Sequence, residues 1–188
     1  MKYAGNNSPE YWNSSWDRGV KKFPIHTMNW INRFIPNNIS VLDIGCGDGT
    51  FLERLKNEKG CQAYGIDISN IAISKVNEKG IPSIVASAED LDNFGRESCF
   101  DVVVCSHLLE HIENDDGLVK NIARLTKQFA IIAVPNDCSY PEHTGEHVRK
   151  YTKESLIKLL VEHFRIIEDK TRYNRTTLKN HLIFKCLK

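Results

Sequence analysis

The sequence lacks the features that mark membrane, secreted and zinc-ribbon proteins. Nowhere do about 18 apolar residues follow one another, so we predict no membrane-spanning helix. The six cysteines form no CxxC pair, which argues against a zinc ribbon and favours reduced thiols in a cytoplasmic protein. The N-terminus, MKYAGNNSPEYWNSSW, contains no apolar stretch, and we therefore expect no signal peptide.

The net charge of the chain is also small. The net charge is +1, so nothing in the overall balance calls for nucleic acid or a membrane surface as a partner. With 41 % hydrophobic and 26 % charged residues, the chain has the composition of an ordinary globular protein. Its 188 residues predict a single domain, 1–188, with a helical N-terminal lid segment over 1–37 and a core over 39–187.

The chain after residue 38 alternates apolar runs with helical spacing. Near-continuous apolar runs separated by helices predict an α/β fold, with a mostly parallel sheet that carries helices on both faces. A short loop before the last strand predicts an antiparallel hairpin at one edge. We predict strands at 39–44, 61–66, 82–86, 100–105, 129–134, 164–171 and 181–187, and helices at 51–59, 70–79, 117–125 and 152–163.

All three tryptophans lie in the N-terminal segment. The spacing of Trp30, Ile31 and Phe34 is helical, and Pro36 ends that helix. Two interpretations stay open. The aromatic residues either hold an N-terminal helix against the sheet, or Tyr11, Trp12 and Trp16 form part of a lid over a pocket.

A glycine-rich turn follows the first strand, in the stretch VLDIGCGDGTF from Val41 to Phe51. Glycine permits a sharp turn with positive φ and lets a ligand approach the main chain. The first N–H groups of the following helix have no partner within the helix and face such a ligand. The spacing is GxGxG, which differs from the GxGxxG of dinucleotide-binding dehydrogenases. A strand, this turn and a helix together predict a nucleotide pocket.

Two other strand ends carry groups that suit a nucleoside. In open α/β sheets, ligands bind beyond the carboxyl ends of the strands. Asp67 follows the second strand, where a carboxylate accepts hydrogen bonds from both ribose hydroxyls, although it could also cap the next helix. Ser69 offers an alternative cap. Ser87 and Glu89 follow the third strand and are candidates to bind the amino group of an adenine.

Four of the seven histidines follow the fourth and fifth strands. His107 and His111 come after the fourth strand, and His143 and His147 lie in the loop after the fifth, together with Glu142 and Glu146. These loops are adjacent if the two strands are neighbours. The string HLLEH matches the HxxEH motif of inverted zinc proteases, but that motif requires a long helix, so we reject this interpretation.

Five segments together resemble class I S-adenosylmethionine (SAM) dependent methyltransferases of the small UbiE/UbiG-like (methyltransferase type 11) family. They are VLDIGCGDGTF, YGIDIS, ASAEDL, FDVVVCSHLLEHI and IIAVPN, in the order and spacing of that family. The resemblance implies a Rossmann-like seven-stranded sheet of order 3-2-1-4-5-7-6. It implies SAM as the cofactor, bound by Asp43, Gly45, Cys46, Gly47, Gly49, Asp67, Ile68, Ser87, Ala88, Glu89, Ser106 and His107. Two departures are that Ser87 stands where many members have Asp, and that no Pro-Gly-Gly turn precedes the fifth strand.

The resemblance implies transfer of a methyl group to an oxygen or nitrogen of a small or tethered metabolite. A hydroxyl acceptor benefits from a general base, and His111 and His147 are the first candidates, followed by His143. No metal is needed in this interpretation. Three alternatives stay open: a metal-assisted RNA 3′-end 2′-O-methyltransferase using Glu110, His111, His143 and His147, a non-catalytic partner subunit with this fold, and a dehydrogenase.

Overall fold

The computed structural model describes residues 7–19, 25–136, 146–171 and 181–188. One seven-stranded sheet runs through these residues, with strand order β3-β2-β1-β4-β5-β7-β6. Strands β1 to β5 are parallel to one another, and β7 is antiparallel to both β5 and β6. The strands are β1 Ser40–Ile44, β2 Gln62–Asp67, β3 Ser83–Val85, β4 Phe100–Ser106, β5 Thr126–Pro135, β6 Ile166–Asp169 and β7 His181–Leu187. The predicted fold class and strand order are confirmed.

Six helices accompany the sheet in the described residues. They are α1 Pro9–Asp17, α2 Ile25–Asn32, α3 Thr50–Lys59, α4 Asn70–Glu78, α5 Asp115–Leu125 and α6 Lys153–Val161. Local signals explain where several begin and end. Ser69 and Thr152 accept hydrogen bonds from the first turns of α4 and α6, and Gly60 ends α3 in the left-handed conformation.

The apolar residues of the strands alternate between two buried layers. One layer joins Leu42, Ile44 and Val103 to α5, and the other joins Val41, Val102 and Val104 to α2 and α3. Because both faces of β1 and β4 are covered, these strands read as continuous apolar runs. This packing fixes the carboxyl ends of β1 and β4. These ends in turn position the glycine turn after β1 and the residues that follow β4.

The N-terminal segment differs from the single helix predicted around Trp30. Two helices are present, and they serve different faces of the molecule. Met28 and Ile31 of α2 are buried in the core layer against α3, as one interpretation expected. Trp12 and Trp16 of α1 line a cavity, as the other interpretation expected. Helix α2 therefore packs on the core and helix α1 lies beside the cavity, and the lid itself stays a prediction.

The largest boundary error is at β5, which begins at Thr126 directly after α5 rather than at Phe129. The Thr126 hydroxyl donates a hydrogen bond of 2.7 Å to the Ile122 carbonyl and so satisfies the end of α5 without a turn. No helix in the described part of the chain is long and apolar enough to cross a membrane.

Candidate functional site

A cavity of about 280 Å³ opens at the carboxyl ends of the parallel strands. It lies between the turns that follow β1, β2, β3 and β4, with α1 and the segment from Glu146 on the other side. Eleven of the fourteen predicted site residues line it: Gly45, Gly47, Asp67, Ile68, Ser87, Ala88, Glu89, Ser106, His107, His111 and His147. The topology therefore brings residues from five parts of the chain to one opening.

The glycine turn is built as its spacing requires. Gly45 and Gly47 have φ values of +79° and +54°, which favour glycine because a Cβ is strained there. The Gly45 and Cys46 amides donate to the Ile66 carbonyl at 2.8 and 3.0 Å, which ties the turn to the end of β2. A Cβ on Gly45 would lie 3.1 Å from Leu108, so the turn also packs closely against the segment after β4.

Three residues predicted to hold the cofactor lie outside the cavity lining. Asp43 is buried in β1, and burial together with the nearby Asp67 carboxylate raises its pKa well above the usual value. Cys46 is buried in the apolar cluster behind the turn, and Gly49 begins α3 in the left-handed conformation. A one-dimensional motif does not tell which of its residues face the ligand and which support the turn.

Asp67 is held by two main-chain donors. The Gly47 amide donates to one carboxylate oxygen and the Ser69 amide to the other, both at 2.9 Å. Burial raises the Asp67 pKa, and these N–H groups offset part of that effect. Ser69, whose side chain accepts from the Ala72 amide at 3.1 Å, caps α4. Asp67 is therefore free of the capping role, and it lines the cavity.

Ser87 and Glu89 line the cavity and also hold local structure. The Ser87 hydroxyl accepts from the Glu89 amide at 3.2 Å and begins a short 3₁₀ turn at Ala88–Asp90. One Glu89 carboxylate oxygen accepts from the Asn114 amide at 3.2 Å, next to the start of α5. Both side chains keep further acceptor capacity, since a carboxylate offers about four lone pairs and a hydroxyl two.

The end of β4 carries a strained residue. His107 has a φ of +56°, which is uncommon outside glycine and concentrates at functional sites. The His107 amide donates to the Ala133 carbonyl of β5 at 2.8 Å, so the neighbouring strand fixes this conformation. A 3₁₀ turn of only three residues, Leu109–His111, follows, and the long helix of an inverted zinc protease is not formed here.

Glu110 is an unusual charge at this position, because its side chain is 1 % exposed. Neither carboxylate oxygen has a hydrogen-bond partner in the described part of the chain. The nearest cationic candidates are Nδ1 of His107 at 3.6 Å and Nε2 of His111 at 3.9 Å, both from one Glu110 oxygen. Burial favours protonation, but these two imidazoles outweigh it and hold the Glu110 pKa below its usual value.

The tautomer of His111 follows from its contacts. Its Nδ1 lies 3.0 Å from the Glu146 main-chain carbonyl, which can only accept, so Nδ1 carries the proton. Burial lowers the His111 pKa, with the Glu110 carboxylate opposing that effect. A neutral imidazole then has its lone pair on Nε2, toward Glu110. His147 lies alongside, with ring centroids 4.9 Å apart. His143 and Glu142, predicted in the same loop, lie outside the described residues.

Asn7 and the helix α1 that follows it make further contacts with the site. The Asn7 side chain donates to the Glu146 carbonyl at 2.8 Å and to the His111 carbonyl at 3.2 Å. The Tyr11 hydroxyl donates to the Glu146 carboxylate, and the Trp12 ring lies edge-on to His111 with centroids 5.2 Å apart. Leu108, Ile112 and Glu113 also line the cavity. The sequence indicated this segment through Tyr11, Trp12 and Trp16, the residues predicted as part of a lid, whereas Asn7 was not predicted.

Comparison with known proteins gives the family. The model of the family described as methionine biosynthesis protein MetW matches residues 26–141, which is more than half of the chain. The chain belongs to the MetW family. The predicted class I SAM-dependent methyltransferase is thereby confirmed at the level of family and fold.

Curated relatives of this MetW-family chain include the ubiquinone biosynthesis O-methyltransferase of Coxiella burnetii, which is 30 % identical over 122 residues. That match covers 60 % of this chain and 52 % of the relative, so the chain spans about half the length of that protein. Two solved structures share the fold across nearly the whole chain.

One of these structures is a methyltransferase in complex with the Trm112 activator of Haloferax volcanii, with a TM-score of 0.73, 15 % identity and 97 % of each chain covered. The other is the magnesium protoporphyrin IX methyltransferase of Synechocystis with bound S-adenosylhomocysteine (SAH), with a TM-score of 0.72 and 16 % identity. It covers 96 % of this chain and 97 % of that one.

Proposed function

We propose that the protein is a SAM-dependent methyltransferase that acts on an oxygen or nitrogen of a small or tethered metabolite. One observation carries this proposal most directly. Asp67 lines the cavity and accepts from the Gly47 amide of the glycine turn, which is where a ribose diol next to a close main-chain approach requires a carboxylate. The lining also contains the carboxylates of Glu89, Glu110, Glu113 and Glu146, which suit a ligand that carries positive charge.

When bound, SAM supplies a methyl group on a positively charged sulfur, which is the reactive chemistry. In this proposal the Gly45 and Gly47 main chain holds the methionine part, and Asp67 accepts from the ribose hydroxyls. Ile68, Ser87, Ala88 and Glu89 surround the adenine, while Ser106 and His107 lie beside the reacting centre. Asp43, Cys46 and Gly49 support the turn from behind.

The protein's own part in the reaction is to align the acceptor, exclude water and accept a proton. His111 fits the last role, because its Nδ1 proton is held by the Glu146 carbonyl and its Nε2 lone pair is available. The buried Glu110 carboxylate, 3.9 Å from Nε2, stabilises the imidazolium that forms. His147 is the second candidate base. Helix α1, within the segment 1–37, acts as a lid, and Asn7 just before it holds the Glu146 and His111 main chain.

The relatives limit the chemical class of the methyl acceptor but do not identify the molecule. The Coxiella burnetii relative is an O-methyltransferase, which favours a hydroxyl acceptor here. We propose a cytoplasmic location, since the five cysteines among the described residues carry free thiols. The Haloferax volcanii neighbour was solved in complex with an activator protein. We therefore propose that an activating partner also binds this chain.

Calorimetry with SAH tests the proposal, with NAD⁺ as the control ligand for a dehydrogenase. We expect SAH to bind with a Kd in the range of about 1–100 μM, and NAD⁺ to give no heat of binding. Absence of SAH binding would refute the methyltransferase assignment. SAH binding without transfer of a tritiated methyl group to any acceptor pool would instead support a non-catalytic partner subunit.

A metal-assisted reaction, as in RNA 3′-end 2′-O-methyltransferases, is the second candidate. Ligand atoms of Glu110, His111 and His147 lie within 4.8 Å of one another, and the Glu110 oxygens have no hydrogen-bond partner among the described residues. Carboxylate and imidazole ligands suit a divalent transition metal. A Mn²⁺ titration followed by electron paramagnetic resonance compares the parent with His147→Ala. Equal Mn²⁺ affinity in both proteins would remove this candidate.

A further inference from the structure

The charged residues of the cavity lining are all of one sign. Asp67, Glu89, Glu110, Glu113 and Glu146 line the cavity, and no lysine or arginine does so in the part of the chain that the structure describes. The whole sequence has nearly equal numbers of acidic and basic residues, 24 and 25. The charge of the cavity lining therefore differs from that of the sequence, because no described lysine or arginine belongs to the lining. Such a one-signed lining determines which ligands can enter.

The carboxylates divide between two ends of the cavity. Asp67 and Glu89 follow β2 and β3, at the end that the proposed function gives to the nucleoside. Glu110, Glu113 and Glu146 lie with the histidines, at the end left for the methyl acceptor. The inference below rests on the proposed function, since only a bound SAM defines which end receives the acceptor.

The basic groups beside the acceptor end already have partners within the protein. The Nδ1–H group of His111 donates to the Glu146 main-chain carbonyl at 3.0 Å. Glu110 is buried and neither of its carboxylate oxygens has a hydrogen-bond partner among the described residues, so both keep acceptor capacity for a ligand. Arg149, which lies next in the chain to the segment Glu146–His147 of the lining, pairs with the Asp115 carboxylate at 2.5 Å and donates to the Ile112 carbonyl at 3.2 Å. The Arg149 charge is therefore paired with Asp115, which does not line the cavity.

An anionic acceptor would be disfavoured at such a site. A carboxylate or phosphate loses water on entry and needs lysine, arginine or several N–H donors as partners, and these carboxylates would repel it. An amine or a hydroxyl finds acceptors instead, and the Trp12 ring that lines the cavity next to His111 adds an uncharged aromatic contact. We propose that the methyl acceptor is an uncharged or cationic molecule with a hydroxyl or amine nucleophile, and that Glu110 and Glu113 exclude acceptors bearing a carboxylate or phosphate beside the reacting group.

A comparison of two nucleosides tests this proposal without knowledge of the acceptor. SAH has a neutral sulfur at the reacting centre, whereas sinefungin has a carbon with an ammonium group that occupies the place of the transferred methyl. Calorimetry in the presence of EDTA, which removes divalent cations, gives both affinities. We expect sinefungin to bind about tenfold more tightly than SAH, because one ammonium interacts with two or three carboxylates at an intermediate effective dielectric.

Two variants locate the source of the preference. Glu113 is exposed at the rim, so Glu113→Lys reverses a charge without disturbing the core. We expect this variant to lower the preference for sinefungin about threefold or more. Glu110→Gln should lower it further, while Asp101→Asn, outside the cavity, should leave it unchanged. Equal affinities for sinefungin and SAH in the parent, or a preference that neither glutamate variant reduces, would overturn the proposal.

Three catechols with the same ring then test the acceptor itself. Dopamine carries an ammonium group, 4-methylcatechol is neutral and 3,4-dihydroxybenzoate carries a carboxylate. We expect methyl transfer from tritiated SAM to favour the first two by about tenfold or more in kcat/KM. Preference for the carboxylate would overturn the proposal, and the nucleoside comparison decides even where none of the three reacts. Failure of SAH itself to bind would refute the proposed function, which is a separate outcome.

Discussion

Replacement of Asp67 by asparagine changes the most informative contact of the site. The carboxylate accepts one hydrogen bond from the Gly47 amide and one from the Ser69 amide, on different oxygens. Asparagine has the same size but only one acceptor oxygen, so one of these N–H groups faces an NH₂ group. The variant also offers a ribose diol one acceptor in place of two. Both effects weaken nucleoside binding, and the first also loosens the glycine turn.

The expected loss follows from these hydrogen bonds. Two bonds to a charged group contribute about 1.5–3 kcal/mol each, and a neutral amide keeps part of that. A net loss of about 2–4 kcal/mol corresponds to a Kd for SAH that is about 30- to 1000-fold higher. Calorimetry with SAH measures it directly. The matched control is Asp48→Asn, since Asp48 caps the start of α3 through Thr50 and does not line the cavity.

A Kd within about threefold of the parent in Asp67→Asn would refute the assigned role of this carboxylate. An equal loss in Asp48→Asn would also refute it, because the effect would then reflect the stability of the turn. Circular dichroism and the denaturant midpoint of both variants show whether the fold is intact.

Three further predictions address the base, the packing and the pH dependence. His111→Gln should lower kcat by about 100-fold or more with little change in SAH affinity, whereas His163→Gln, outside the cavity, should leave both unchanged; a normal kcat would exclude His111 as the base. Gly65→Ala should cost about 1–3 kcal/mol of unfolding free energy, because the added Cβ would lie 2.7 Å from the Cys46 sulfur; an unchanged denaturant midpoint would contradict this packing. Burial and the nearby Asp67 raise the pKa of Asp43 in the folded state, so its contribution to stability is complete below about pH 4 and is lost as pH rises through the folded pKa. Denaturant midpoints across this range should fall less in Asp43→Asn than in the parent, and identical slopes would refute the effect.

Much of the fold could be predicted because the apolar runs are long and both faces of the central strands are buried. Val102, Val103 and Val104 are fully buried in alternate layers, and such a run has few alternatives to a central parallel strand. The start of β5 could not be predicted in this way. Thr126 satisfies the end of α5 with its own hydroxyl, so no glycine or proline marks the boundary.

The site was predictable where its residues follow strands directly. Asp67 and His107 occupy strand ends, and the sheet order alone brings them to one edge. The contact made by Asn7 was not predictable, because it reaches Glu146 across 139 positions of sequence through a single amide group. Short-range periodicity contains no information on such a contact. The motif likewise did not separate Gly45, which lines the cavity, from Cys46, which packs behind it.

A crystal structure of the protein with SAH tests the central claim most directly. We expect the ribose hydroxyls to lie within hydrogen-bonding distance of Asp67 and the adenine to lie beside Ile68 and Ala88. We expect the sulfur to face the His107–His111 end of the cavity. SAH bound elsewhere, or in this cavity with its ribose away from Asp67, would contradict the account.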